Sequence, residues 1–121
     1  EVDVDAAGVP SWASWVNHVD EQRHAALLDG LAELLRAALP SLEEVCGRAL
    51  RSRRLQVVCR ATDHVMAQGD GAFYPVSDWH TDGTREESLL ATAVSYLEVG
   101  EGLSGGTLEF AGNADVWLDD P

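Results

Sequence analysis

The chain has 121 residues, of which 45% are hydrophobic and 24% are charged, so it is long enough for one domain with a hydrophobic core and too short for two ordinary ones. Twenty-one Asp and Glu residues face eight arginines, and the formal net charge is -13 at pH 7. Because this charge repels the phosphates of nucleic acids and of anionic membranes, we expect the protein to bind neither.

The cysteines and the start of the chain bear on its compartment. Cys46 and Cys59 lie in neither a CxxC nor a zinc-type pattern, so the sequence predicts neither a disulfide framework nor a zinc site. It contains no apolar run of membrane length, and its first residues are acidic where those of a signal peptide are basic. We expect a cytoplasmic protein, and the start at Glu1 without Met predicts a processed or excised fragment.

Helical spacing dominates the first part of the chain, residues 1–53. Pro40 is predicted to end a helix over residues 20–39. Ser41 and Glu44 have the capping-box pattern of a second short helix, through about residue 50. The inward residues of the first helix are Ala25, Leu28, Leu31, Leu35 and Leu39, widened by Leu27 and Leu34, and those of the second are Leu42, Val45, Ala49 and Leu50. The sequence therefore predicts two amphipathic helices that need a surface to pack on.

The arginines concentrate where this helical part ends. Five of the eight are Arg48, Arg51, Arg53, Arg54 and Arg60. Such a cluster could form an anion site, whereas the interpretation that we favour is a polar helix end.

The second part of the chain, residues 54–121, is predicted to form strands, so we expect an α+β fold in which the two parts make one structural unit. Strands are predicted at residues 55–66, 107–110 and 116–118. In the first of these, Leu55, Val57 and Cys59 share one face because side chains alternate along a strand.

A longer apolar stretch at residues 88–99 predicts a buried strand, because it is rich in β-branched and aromatic residues. A helix over residues 86–93 is the alternative. Trp12 and Trp15, which precede the first helix, are predicted to anchor that segment to the sheet.

Chemistry is indicated by the segment YPVSDWHTDG, residues 74–83. Residues two apart in a strand point to the same side, so His80 and Asp82 can aim into one cavity. An imidazole and a carboxylate placed in this way are two of the three protein ligands of a non-haem Fe(II) site. The spacing alone has about one chance in three of being accidental. The third ligand, a histidine, has to come from elsewhere.

Several segments around this motif recur in the order of a known family. They are LQVVCRA at residues 55–61, Tyr74 and Pro75, Trp79 and His80, Asp82 and Gly83, Glu86, ATA at residues 91–93, Tyr96, and LEF at residues 108–110. Over residues 55–112 the chain resembles the Fe(II)/2-oxoglutarate-dependent oxygenases of the prolyl-hydroxylase type. Within them it resembles an uncharacterised, largely fungal and bacterial family of predicted oxygenases with a YPxxxWHx[DE]G motif. The Gly105 and Gly106 pair fits the loop of that family, and an ordinary hairpin turn is the alternative.

The resemblance implies a fold, a reaction and a set of site residues. The fold is part of a double-stranded β-helix, a jelly-roll or cupin-like sheet, with the N-terminal helices packed on it. The reaction is hydroxylation of an unknown small molecule or side chain with Fe(II), 2-oxoglutarate and O₂, and ascorbate is compatible with it. The implied residues are His80 and Asp82 as catalytic iron ligands, Tyr74 and Tyr96 on 2-oxoglutarate, and Trp79 and Arg85 on substrate. From the residues alone, the interpretations that we favour for these two are a core tryptophan and a surface-loop arginine.

The chain departs from the family in having no histidine after Asp82, and the Arg or Lys that lies near that histidine in the family and pairs with 2-oxoglutarate is absent with it. His64 is a weaker candidate ligand, while His18 and His24 are predicted to be solvated or capping. We expect a fragment of a larger oxygenase that is inactive alone. The alternatives are a second chain or a swapped homodimer that completes the open sheet, and a catalytically inactive β-helix that serves as a binding module.

Overall fold

The computed structural model describes residues 1–66, 79–80 and 83–110 of the chain. Its elements in chain order are β1 at Val2–Val4, β2 at Pro10–Trp12, α1 at Ala25–Cys46, β3 at Arg53–Leu55 and a short 3₁₀ helix at Arg85–Glu87. The predicted α+β class is confirmed at this level. Neither of the helices in these ranges has both the length and the apolar composition that crossing a membrane requires.

The sheet has three antiparallel strands in the order β2-β1-β3, with β1 at the centre. Val2 lies opposite Trp12 on one side and Leu55 on the other. The Val-Asp-Val alternation of β1 places Val2 and Val4 on the buried face, as a period of two requires. The prediction of a purely helical part over residues 1–53 is wrong here, because β1 and β2 lie in it. The Val-Asp-Val alternation is a sufficient signal for β1.

The turn between β1 and β2 is built by Asp5. Its Oδ1 accepts hydrogen bonds from the backbone N–H groups of Ala7 and Val9, both at 2.8 Å. Gly8 has a φ of +82°, a conformation that glycine adopts without strain. Together they direct β2 back along β1.

The helix α1 runs without interruption through Pro40, so the prediction that this proline separates two helices is wrong. Proline lacks the N–H that would donate to the carbonyl four residues earlier, and its ring crowds that carbonyl. The helix continues because Leu39 is only 1% exposed and Leu42 packs against the same core cluster one turn later. Packing on both sides of Pro40 outweighs the local penalty. The prediction that Val45 and Ala49 face inward is also wrong, since both are exposed, and three residues of the first predicted stripe are exposed as well: Ala25, Leu27 and Leu34.

The end of α1 is set by Gly47. The residue has a φ of +63°, and its N–H donates to the carbonyl of Glu44, while the N–H of Arg48 donates to the carbonyl of Glu43. This pair of bonds is the Schellman arrangement, which satisfies the last carbonyls of a helix. The chain then turns back and places Leu50 in the core.

The core lies between α1 and the inner face of the sheet. Val2, Val4, Leu39 and Leu50 form its buried centre. Six half-buried residues pack around them: Trp12, Leu35, Leu42, Cys46, Leu55 and Val57. The indole Nε1 of Trp12 donates to the carbonyl of Leu28 at 3.3 Å and joins β2 to the helix. The anchoring role predicted for Trp12 is confirmed, whereas that of Trp15 is wrong because its side chain is exposed.

The later strands differ from the prediction. β3 ends at Leu55, and residues 56–66 have no regular secondary structure. Residues 88–99 form neither the predicted buried strand nor the alternative helix, and residues 107–110 form no strand; nearly all of their side chains are exposed. Residues 116–118 lie outside the described residues. A strand requires a neighbour to accept its hydrogen bonds, and no described strand lies beside these segments.

Replacing Pro40 by alanine tests the uninterrupted helix. Pro40 is exposed, so Pro40→Ala removes no core contact, and it restores the N–H that can donate to the carbonyl of Arg36. The gain is partly offset because proline also restricts the unfolded chain by about 1 kcal/mol. We expect the free energy of unfolding, measured with urea by circular dichroism, to rise by about 1–2 kcal/mol. An unchanged or lower value would indicate that the helix breaks at this position.

Truncating Leu39 tests the position of the core. We expect Leu39→Ala to lower the free energy of unfolding by about 2–5 kcal/mol, because it leaves a cavity beside Val2 and Val4. The matched control is Leu27→Ala on the same helix, where the leucine is 51% exposed. Its expected cost is about 1 kcal/mol or less. Equal effects of the two substitutions would contradict the orientation of the helix.

Candidate functional site

The structure describes part of the predicted iron and cosubstrate site. Trp79, His80 and Tyr96 are among the described residues, and so is the backbone of Arg85. Tyr74 and Asp82 lie outside them. The pairing of His80 with Asp82 on one face therefore stays a prediction.

The described site residues are accessible to a ligand. Trp79 is 60% exposed, and His80 and Tyr96 are exposed as well. The interpretation of Trp79 as a core residue is therefore wrong. An exposed indole beside an imidazole presents both a flat apolar surface and a nitrogen donor at the same place on the chain.

A tight turn fixes the chain just after the motif. Gly83 has a φ of +81°, and the N–H of Thr84 donates to Oε2 of Glu87 at 2.7 Å. The N–H of Glu87 in turn donates to the carbonyl of Thr84 at 3.1 Å, so the 3₁₀ helix is held by two reciprocal bonds. Thr84 and Glu87 have the T-x-x-E spacing of a capping box, which marks the start of a helix in a sequence.

Within residues 1–66, 79–80 and 83–110, no three His, Cys, Asp or Glu side chains lie close enough together to hold a metal ion. His64 belongs to these residues, while Asp82 does not. His18 and His24 are exposed, in agreement with the solvated role predicted for them, and His24 occupies the N-terminal cap position of α1 without a side-chain capping bond.

The arginine cluster, the second candidate site, is partly neutralised by the chain's own carboxylates. Arg54 forms two hydrogen bonds with the Asp3 carboxylate across β1 and β3, at 2.7 and 2.8 Å. This contact lowers the pKa of Asp3 below its ordinary value and raises the pKa of Arg54. Arg51 lies 3.4 Å from the carboxylate of Glu43. These two arginines therefore support the interpretation of a polar helix end.

Glu43 organises the segment that follows the helix. Its Oε1 accepts the N–H of Leu50 at 2.9 Å and the N–H of Arg51 at 3.3 Å. The bond from Leu50 is the main reason that the pKa of Glu43 lies below its ordinary value, and Arg51 acts in the same direction. Bonds to the charged form favour ionisation. The carboxylate thus links the end of α1 to the start of β3.

Comparisons with protein-family models, with curated proteins and with solved structures found no match to this chain. The resemblance to oxygenases rests on the residues of the chain alone.

The lowered pKa of Glu43 predicts a pH dependence of stability. A carboxylate whose pKa is lower in the folded state stabilises the fold above the unfolded-state pKa, and this contribution is lost as the pH falls through the folded-state pKa. We expect Glu43→Gln to lower the free energy of unfolding at pH 7, and the difference from wild type to shrink as the medium is acidified below the usual range of glutamate.

The measurement is urea unfolding at a series of pH values. Glu44→Gln is the matched control, because Glu44 is exposed and accepts no side-chain hydrogen bond from the described residues. Glu44→Gln should leave the dependence of the free energy of unfolding on pH as it is in the wild type. A Glu43→Gln effect that is equally large at neutral and acidic pH would rule out the charge as its cause.

Proposed function

We propose that the protein carrying this chain is a non-haem Fe(II)/2-oxoglutarate-dependent dioxygenase that hydroxylates a small molecule or a side chain. The observation that carries the proposal is the order of segments around His80 and Asp82. Tyr74 and Pro75 precede the pair, and the segments at residues 86–96 and 105–110 follow it, as in the oxygenases that the chain resembles. The same resemblance supports a double-stranded β-helix as the fold of the second part.

The donor set suits the metal. Imidazole and carboxylate are the side chains that bind Fe(II) in oxygenases of this kind, and they leave open positions for other ligands. His80 is an exposed residue. Bound iron and 2-oxoglutarate together would supply the oxidation of a substrate C–H bond by O₂, with succinate and CO₂ as the other products.

The chain's own residues bind and orient in this proposal. His80 and Asp82 hold the metal, and Tyr74 and Tyr96 donate hydrogen bonds to the cosubstrate. The exposed face of Trp79 lines the substrate side, and Arg85 meets an acidic group of the substrate. The tight turn at residues 83–87 lies directly after the metal-binding pair in the sequence.

A third iron ligand has to be contributed by another segment or another chain, because residues 83–121 contain no histidine. The Arg or Lys that pairs with the far carboxylate of 2-oxoglutarate lies near that histidine in the family, so it too has to be contributed by another segment or another chain. Two protein ligands make a weak chelate, so the 121-residue chain alone would bind iron weakly and would not turn over.

The second candidate function is a catalytically inactive binding module with the same fold. The observation that favours it is the exposure of apolar side chains in residues 88–110, of which Phe110 is 89% exposed. Large exposed apolar surfaces mark sites where another molecule binds. The two functions differ in whether the protein holds iron and 2-oxoglutarate.

The deciding experiment is an anaerobic titration of the full-length protein with Fe(II) and 2-oxoglutarate, followed by visible absorption. We expect a metal-to-ligand charge-transfer band in the wild type. His80→Ala and Asp82→Ala should lose it or weaken iron binding by at least about tenfold. His24→Ala is the matched control, since this exposed histidine lies at the N-terminal cap position of α1, and the substitution should leave the band unchanged.

The absence of a band in wild type, or a band that His80→Ala leaves undiminished, would contradict the oxygenase and favour the binding module.

A further inference from the structure

A basic segment interrupts this acidic chain. Residues 47–62 contain five of the eight arginines and no Asp or Glu, a local charge of +5 against -13 for the whole chain. Arg51 and Arg54 meet carboxylates of the same chain. Arg48, Arg53 and Arg60 are exposed, and no carboxylate in the described part of the chain lies within ion-pair distance of them.

The basic segment includes an edge of the sheet. In the order β2-β1-β3, the outer side of β3 has no partner strand among the described residues. The chain continues beyond β3 with Val57 and Val58, and Val58 is 76% exposed. An exposed edge presents unpaired backbone N–H and C=O groups, to which an extended segment can add as a further strand. We call residues 53–60 the basic edge; Arg53–Leu55 are the strand β3, and the residues that follow, up to Arg60, have no regular secondary structure.

A complementary segment lies later in the same chain. Residues 96–110, YLEVGEGLSGGTLEF, carry three glutamates and no basic residue, and we call them the acidic segment. The glutamates are exposed, and so are the large apolar residues between them: Tyr96, Leu97, Val99, Leu103, Leu108 and Phe110. Several of these residues have the β-branched or aromatic side chains that strands favour. The charge of the acidic segment is thus opposite to that of the basic edge, and its apolar residues lie on both sides of a bend at Gly102, Gly105 and Gly106, whose φ angles are positive.

We propose that the acidic segment of one copy docks along the basic edge of a second copy, and that the two copies exchange this contact reciprocally in a two-fold dimer. A second copy is the occupant because one copy leaves both surfaces exposed, while their charges are opposite and their apolar residues uncovered. A two-fold arrangement makes each contact twice. This association does not require iron, and its test does not measure oxygenase activity, although the acidic segment includes Tyr96 of the proposed cosubstrate site.

The overall charge of the chain does not prevent this contact. Two copies of charge -13 repel each other, but charges separated by more than about 8 Å are largely screened at physiological ionic strength. The arginines and glutamates at the docked edge lie closer than this, so their attraction decides the local pairing.

Charge reversal tests the proposal by sedimentation velocity. The edge variant is Arg53→Glu with Arg60→Glu, and the segment variant is Glu98→Arg with Glu101→Arg. We expect wild type to dimerise and each variant alone to dissociate at least about tenfold more readily, because like charges then meet at the contact. An equimolar mixture of the two variants should dimerise again, since every contact in a mixed dimer joins opposite charges.

The matched control is Arg23→Glu with Arg36→Glu, which changes the net charge as much as the edge variant at two exposed positions outside the basic edge. It should dimerise like wild type. Far-UV circular dichroism checks that each variant is folded. A monomeric wild type, a dimer that both reversals leave intact, or a mixture that stays monomeric would overturn the proposal, the last by indicating contact within one copy or with another protein.

Discussion

The fold depends on the contact between Leu39 and the two valines of β1. This contact joins the middle of the only long helix in the described residues to the central strand of the sheet, and Leu39 is 1% exposed there. Both edge strands are held through β1, and the helix continues beyond Pro40 to place Leu42 on the same cluster. A proline that a local rule treats as a helix end is tolerated because the apolar residues on both sides of it are needed in one core.

Sequence patterns predicted the element whose apolar residues recur over several helical turns, namely α1. Five apolar residues at helical spacing identified the helix, and its stripe places Leu28 and Leu39 in buried positions. The interruption at Pro40 was predicted wrongly because the penalty for proline is local, while the packing that overcomes it is tertiary. The strand β2 contains only three residues, Pro10–Trp12, and its pairing with β1 is set by the Asp5 turn rather than by any periodicity of its own.

The later segments show the limit of strand propensity. Residues 88–99 have the composition of a buried strand, yet their side chains are nearly all exposed. Propensity states that a segment fits a half-buried pleated surface, but a partner has to provide that surface. For the candidate site, the spacing of His80 and Asp82 predicted that an imidazole and a carboxylate point to the same side of the chain. The tight turn after them is also encoded in the sequence, by the T-x-x-E spacing of Thr84 and Glu87.

The proposed function and the proposed dimer overlap in residues 96–110, but only the proposed function involves His80 and Asp82. The central functional claim is that the imidazole of His80 binds a metal together with Asp82. Its most direct test is ¹⁵N NMR of the histidine side chains during titration with Zn(II), a diamagnetic substitute for Fe(II). We predict that Zn(II) changes the ¹⁵N chemical shift of one ring nitrogen of His80 strongly and that Asp82→Ala abolishes this change. The signals of His18 and His24 should stay unchanged. An unshifted His80 at saturating Zn(II) would contradict it.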